Sequence, residues 1–148
     1  MRHCIFLLAA FSILLPVSSS VFAEGAGVEW DILNDEVKEL YRIGKYDRAV
    51  LAAKKAIEVA EENVGPDHPD VAVSVNNLAL LYKTQGHYAQ AESLYKPALE
   101  IKEQALGPDH PSVATSLENL AGLYRDKNRD KEAEALEKRA ARIQGIKR

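Results

Sequence analysis

The pentapeptide Gly65-Pro66-Asp67-His68-Pro69 recurs letter for letter as Gly107-Pro108-Asp109-His110-Pro111, 42 residues further along the chain. A repeat of that length is too short for an independent domain and too long for a single element, so it points to stacked helix pairs, each burying an apolar face against the next. Such an array works by offering a surface, which directs the search for function first to a groove and only then to a catalytic cluster.

The match extends beyond the pentapeptide. In the same register Val71 pairs with Val113, Ser74 with Ser116, Asn77-Leu78-Ala79 with Asn119-Leu120-Ala121, and Leu81-Tyr82 with Leu123-Tyr124. Ala91-Glu92, Leu94, Ala98 and Ile101 then pair with Ala133-Glu134, Leu136, Ala140 and Ile143. Run backwards, the register finds a third, more worn copy in which Gly44, Tyr46, Ala49, Ala56 and Val59 match Gly86, Tyr88, Ala91, Ala98 and Ile101. Three units follow, at approximately 29–62, 71–104 and 113–146.

Within the middle unit, Val75, Leu78, Ala79 and Tyr82 fall at helical spacing on one face, defining a first helix, A. A polar break at Gln85-Gly86-His87 separates it from Ala91, Leu94, Tyr95, Ala98 and Ile101, the apolar stripe of a second helix, B. The alanines recur where two axes must approach closely. In the pentapeptide, the glycine is expected to end helix B in the left-handed region, with Asp67 or His68, and likewise Asp109 or His110, as cap and the second proline in the first turn of the next helix A. Pro97 interrupts a helix B, so a bend is expected near Ser93 to Pro97.

These residues resemble the tetratricopeptide repeat, in the 42-residue variety of kinesin light chains. The small and large positions agree: Ala79, Tyr82, Ala91, Tyr95 and Ala98 in the middle unit, Ala121, Tyr124, Ala133 and Ala140 in the last. The first unit departs most, with Val37 and Leu40 where the others have alanine and tyrosine. The resemblance implies an all-α fold, a right-handed solenoid of three antiparallel helix pairs over 24–148. It also implies a concave face lined by helices A that binds a protein or an extended peptide.

The residues of helices A not required for packing become the candidate binding surface. They are Asp35, Lys38 and Arg42 from the first unit, Asn76, Asn77, Leu80, Lys83 and Thr84 from the second, and Thr115, Glu118, Asn119, Gly122, Arg125 and Asp126 from the third. Asn77 and Asn119 hold the same place in successive units, and an amide there can offer a donor and an acceptor to a peptide backbone. Alternatively each ties its own helix to the next. Gly122 would let a ligand backbone approach closely. A carboxylate clamp, which the family builds from cations on helices A, is not expected, because the third helix A has Thr115 and Asn119 at the positions concerned.

The amino terminus has the layout of an export leader: a basic start at Met1-Arg2-His3-Cys4, an apolar run from Ile5 to Leu15, Pro16, and small residues ending in Val21-Phe22-Ala23. The apolar run is shorter than a membrane span, about 20 residues, requires. Residues 1–23 are therefore expected to be a signal peptide, with the mature chain starting at Glu24 in a periplasm or outside the cell. Cys4 is the only cysteine, so the mature chain would be held by apolar burial without disulfides.

The formal net charge is −3, and one unit more negative without Arg2, which disfavours nucleic acid or an anionic membrane as partner. The sequence places no nucleophile beside a base and no convergent carboxylates, so no enzyme and no cofactor are expected. Asp67-His68 and Asp109-His110 read as helix caps rather than metal ligands. The acidic first unit and basic last helix leave open a second reading, an assembly module associating head to tail through its ends. Against it, Ala133, Leu136, Ala140 and Ile143 turn inward and leave a charged outer face, as a self-capping terminal repeat would. A monomer with weak end contacts through Ile143 and Ile146 is expected.

Overall fold

A computed structural model describes the backbone of residues 19–145 and the side chains of residues 27–145. Most of the expected leader, along with Ile146 and the last two basic residues, lies outside the described residues. Six helices follow in order: α1 (Ser19–Arg42), α2 (Tyr46–Val64), α3 (Pro69–Thr84), α4 (Tyr88–Leu106), α5 (Pro111–Asp126) and α6 (Asp130–Ile143). They form three hairpins, with α1, α3 and α5 as helices A and α2, α4 and α6 as helices B. The all-α solenoid expected from the sequence is thus the fold observed.

The hairpin turns share one solution. The second residue after each helix A has a positive φ: Gly44 (73°), Gly86 (79°) and Asn128 (58°). The following amide then bonds back five residues, as in Lys45 N to Leu40 O, His87 N to Tyr82 O and Arg129 N to Tyr124 O, each 2.8 Å. The third unit uses asparagine, which tolerates this region better than other residues with a Cβ.

The repeated pentapeptide joins one hairpin to the next. His68 Nδ1 accepts from Asp70 N (3.2 Å) and His110 Nδ1 from Ser112 N (3.1 Å), so the histidines are the caps, with Pro69 and Pro111 opening α3 and α5. Gly65 and Gly107 have the positive φ expected, 87° and 92°, but with ψ at 159° and 152° they are extended rather than left-handed helical. That combination is essentially restricted to glycine. It turns the chain out of the B helix towards the next A helix.

Helix pairs close on alanine. Ala49, Ala56, Ala79, Ala91, Ala98, Ala121 and Ala133 are all buried, and each lets two axes approach where a larger side chain would force them apart at a cost of about 1–3 kcal/mol. Pro97 does not end α4, which runs unbroken to Leu106. The proline is on the exposed side, where solvent can reach the Ser93 carbonyl that loses its helical partner.

Helix contacts set the curvature. Among the described residues α1 touches α3 and α3 touches α5, whereas no B helix touches another B helix. Helices A therefore line the inside of the bend, as the resemblance implies.

Candidate functional site

The inner face is built from α1, α3 and α5, and its two seams differ. Between α1 and α3 lies an open notch of about 120 Å³, lined by Val37, Lys38, Tyr41, Asn77, Leu80 and Leu81. Its walls are mostly apolar, and Tyr41 is among the more exposed large apolar residues. Between α3 and α5 the equivalent space is filled. Lys83, in register with Tyr41, lays its ammonium over Gly122 and reaches Asp126 Oδ2 at 3.4 Å. A Cβ added at Gly122 would come within 2.9 Å of Lys83 Nζ.

The sequence-derived candidates separate accordingly. Leu80 and Lys38 line the notch. Asn77 lines it too, but its Nδ2 donates to Asn34 Oδ1 (2.9 Å), and Asn34 Nδ2 in turn donates to Trp30 O (2.9 Å). The amide of Asn77 therefore ties α3 to α1, the structural role that the sequence left open. Asn119, its counterpart, is half-buried and makes no hydrogen bond among the described residues.

Asn76 does not belong to the binding surface. It is 6% exposed and donates to Ser116 Oγ at 2.9 Å. Its place in the helix turns it outward along the stack, towards the next unit, rather than into the groove. Thr84 is exposed, with its hydroxyl donating to Leu80 O (2.9 Å), and Thr115 is exposed. Glu118 accepts from Gln144 Nε2 at 3.0 Å. Gly122 makes room for Lys83 rather than for a ligand.

The candidate cations are already paired: Lys38 with Asp35 (2.8 Å), Arg42 with Glu39 (2.6 Å), Lys83 with Asp126, and Arg125 with Glu137 (2.8 Å) and Asp130 (3.6 Å). An anionic ligand would have to break one of these pairs. Among the described residues no His, Cys, Asp and Glu cluster could hold a metal. No described helix is long and apolar enough to cross a membrane.

Sequence reasoning missed the polar ties between units. At the first seam Trp30 Nε1 donates to Ser74 Oγ (2.8 Å). At the second, Ser116 Oγ accepts from both Asn76 and the amine of Lys102 (3.0 Å). Lys102 is 5% exposed, and burial alone pushes its pKa down. Glu92 joins α4 to the α5–α6 turn through Lys127, Arg129 (2.9 Å) and the Tyr124 hydroxyl, which donates to it at 3.2 Å. Its carboxyl is held well below the usual range, chiefly by Lys127, then by Lys96 and Arg129. Arg129 also lies 3.9 Å over the Tyr124 ring. The period signalled that Glu92 recurs as Glu134 and Lys96 as Lys138, and both pairs form (2.8 and 2.7 Å), but Lys127 and Arg129 have Gln85 and His87 as counterparts and do not repeat.

Comparison with known proteins agrees with this architecture. Residues 40–104 and 76–144 match the family model of the tetratricopeptide repeat, and the chain belongs to that family. Among solved structures it is similar to BtubC (BKLC) from P. vanneervenii, at 28% identity and a TM-score of 0.72, over 80% of this chain and 47% of that one. It also matches a putative kinesin light chain with nearly identical TPR-like repeats from Podosopora anserina, at 23% identity and a TM-score of 0.70, over 78% and 55%. The chain thus spans about half the length of these structures. No curated protein matches it. Its repeats are commonly those of a protein-interaction scaffold.

Proposed function

We propose that this chain is an exported, non-catalytic scaffold that binds an extended segment of another protein along the face formed by α1, α3 and α5. The observation that carries this reading is the notch between α1 and α3: it is apolar, open, and bordered by cations that already have partners. At about 120 Å³ it holds one aliphatic side chain. Ligand backbone beside it would meet Asn119 and the exposed hydroxyls of Thr84 and Thr115. The leader pattern at 1–23 supports delivery to a periplasm or the exterior, and an intact-mass measurement of the native protein starting at Glu24 would test it.

Head-to-tail self-association has less support. The summed charges of the end units are opposite, but the positions that stack are not. Ser74, Leu78 and Leu81 pack towards the first unit; their counterparts on α1 are Ile32, Glu36 and Glu39. Tyr95 packs towards the third unit, and its counterpart on α6 is Glu137. An in-register stack of two copies would set Glu36, Glu39 and Glu137 where the internal joints have Leu78, Leu81 and Tyr95, so the apolar contact that joins successive units is lost.

The test is affinity capture from the source's own extracellular or envelope fraction, with the wild-type chain beside Leu80→Asp and Tyr41→Ala. Both side chains are at the surface of the notch, so circular dichroism should show an unchanged fold. A protein retained by wild type and lost by both variants is the expected result. Equal capture by all three would reject the notch as the recognition site.

A further inference from the structure

The third unit ends in a second notch, of about 220 Å³, lined by Glu118, Gly122, Glu137, Ala141 and Gln144. The 42-residue register gives it a meaning. One unit earlier the same positions are Asn76, Leu80, Tyr95, Leu99 and Lys102. Four of these seat the next helix A: Asn76 and Lys102 donate to Ser116 Oγ, and Tyr95 and Leu99 pack with the apolar side chains of α5. The notch between α5 and α6 is therefore a helix seat of the same design, and among the described residues no helix lies in it.

Its chemistry is reversed relative to the seat that holds α5. There, the seat supplies donors, and α5 supplies the hydroxyl acceptor. Here Asn76 is replaced by Glu118 and the amine of Lys102 by Gln144, whose Nε2 is spent on Glu118 Oε1. Glu137 is neutralised by Arg125, whereas no described cation lies within ion-pairing distance of Glu118. Glycine and alanine in place of Leu80 and Leu99 also leave more room. An occupant must bring a cation where α5 has Ser116, and a bulkier apolar side chain above Gly122 and Ala141.

We propose that this terminal seat takes a basic amphipathic helix from a partner protein, with a lysine or arginine directed at Glu118. A second copy of this chain does not fit in register, since α1 offers Ile32 at the Ser116 position and Glu36 and Glu39 beside it. The proposal concerns a different surface from the inner notch and stands or falls separately from it.

The probe is a synthetic helix with the sequence of Pro111–Asp126, held helical by a side-chain staple on its solvent face, since so short a peptide is marginally helical alone. It is made with and without Ser116→Lys, and its binding to the full chain is read by fluorescence anisotropy. The Ser116→Lys helix is expected to bind about tenfold tighter than its parent, as a charge-assisted hydrogen bond allows. Glu118→Gln in the protein should abolish that difference, and Leu80→Asp should change neither. Equal binding of the two helices, or a preference that survives Glu118→Gln, would overturn the proposal. So would binding that requires removal of residues 146–148, or self-association of the protein that the helix displaces, because either identifies a different occupant.

Discussion

The two seams of the inner face share a repeat frame and end in different states. At the first, Tyr41 and Leu80 border an open apolar notch; at the second, Lys83 and Gly122 hold those positions, and the lysine covers the glycine on its way to Asp126. A two-residue exchange at equivalent places thus separates a surface that can receive a side chain from one the protein has closed itself. The buried ties differ in the same sense. Neutral Trp30 holds Ser74, whereas Ser116 is held partly by the amine of Lys102, a cation with no counter-charge. The first seam is neutral and open, the second charged and filled.

The largest effect should come from removing the carboxylate that ties the second seam together. Glu92→Gln leaves Lys127, Lys96 and Arg129 facing one another and is expected to cost about 2–3 kcal/mol, read from chemical denaturation. Because Glu92 has its pKa depressed on folding, its contribution is complete above the ordinary glutamate value of 4.5 and is lost as pH falls towards the folded value. Acidification should therefore destabilise wild type more than Glu92→Gln.

A smaller change of opposite sign is expected from Lys102→Met. The buried amine is replaced by an apolar chain of similar length while Asn76 still serves Ser116, so stability at neutral pH should rise by about 1–2 kcal/mol. The unfolded chain holds the lysine proton more tightly than the folded one. Wild-type stability should therefore gain on Lys102→Met as pH rises from the lowered folded value towards 10.5. A difference between the two proteins that stays constant with pH would show that burial does not lower the Lys102 pKa in the fold.

The smallest effect tests the closed state of the second seam. Gly122→Ala relieves the entropic cost of glycine in a helix, about 0.5–1 kcal/mol, while its Cβ crowds only the flexible end of Lys83. A net gain of about 0.5 kcal/mol is expected from thermal denaturation. A loss would mean that the Lys83–Asp126 pair contributes more than a surface pair ordinarily does.

Much of the fold was legible in the sequence because it depends on what repeats. The 42-residue period, the alanines at close approaches, the histidine caps and the breaks after Thr84 and Val64 all follow from local spacing. The extended ψ of Gly65 and Gly107 was not legible, since a positive φ requirement selects glycine in either case. The site was read less well, for a physical reason. Helical periodicity assigns a residue to a face but does not say which neighbour its polar atoms will find, so Asn76 and Asn77 were placed together in the groove although one is buried against Ser116 and the other is bonded to Asn34. Tyr41 was overlooked because the first unit is the most worn copy, and its register partner Lys83 has different chemistry.

Hydrogen exchange on the full chain, with and without the captured partner, tests the central claim most directly. The account predicts added protection concentrated on α1 and α3 around Tyr41 and Leu80, with α2 and the pentapeptide turns unchanged. Protection confined to α6, or to the turns at Gly65 and Gly107, would contradict it.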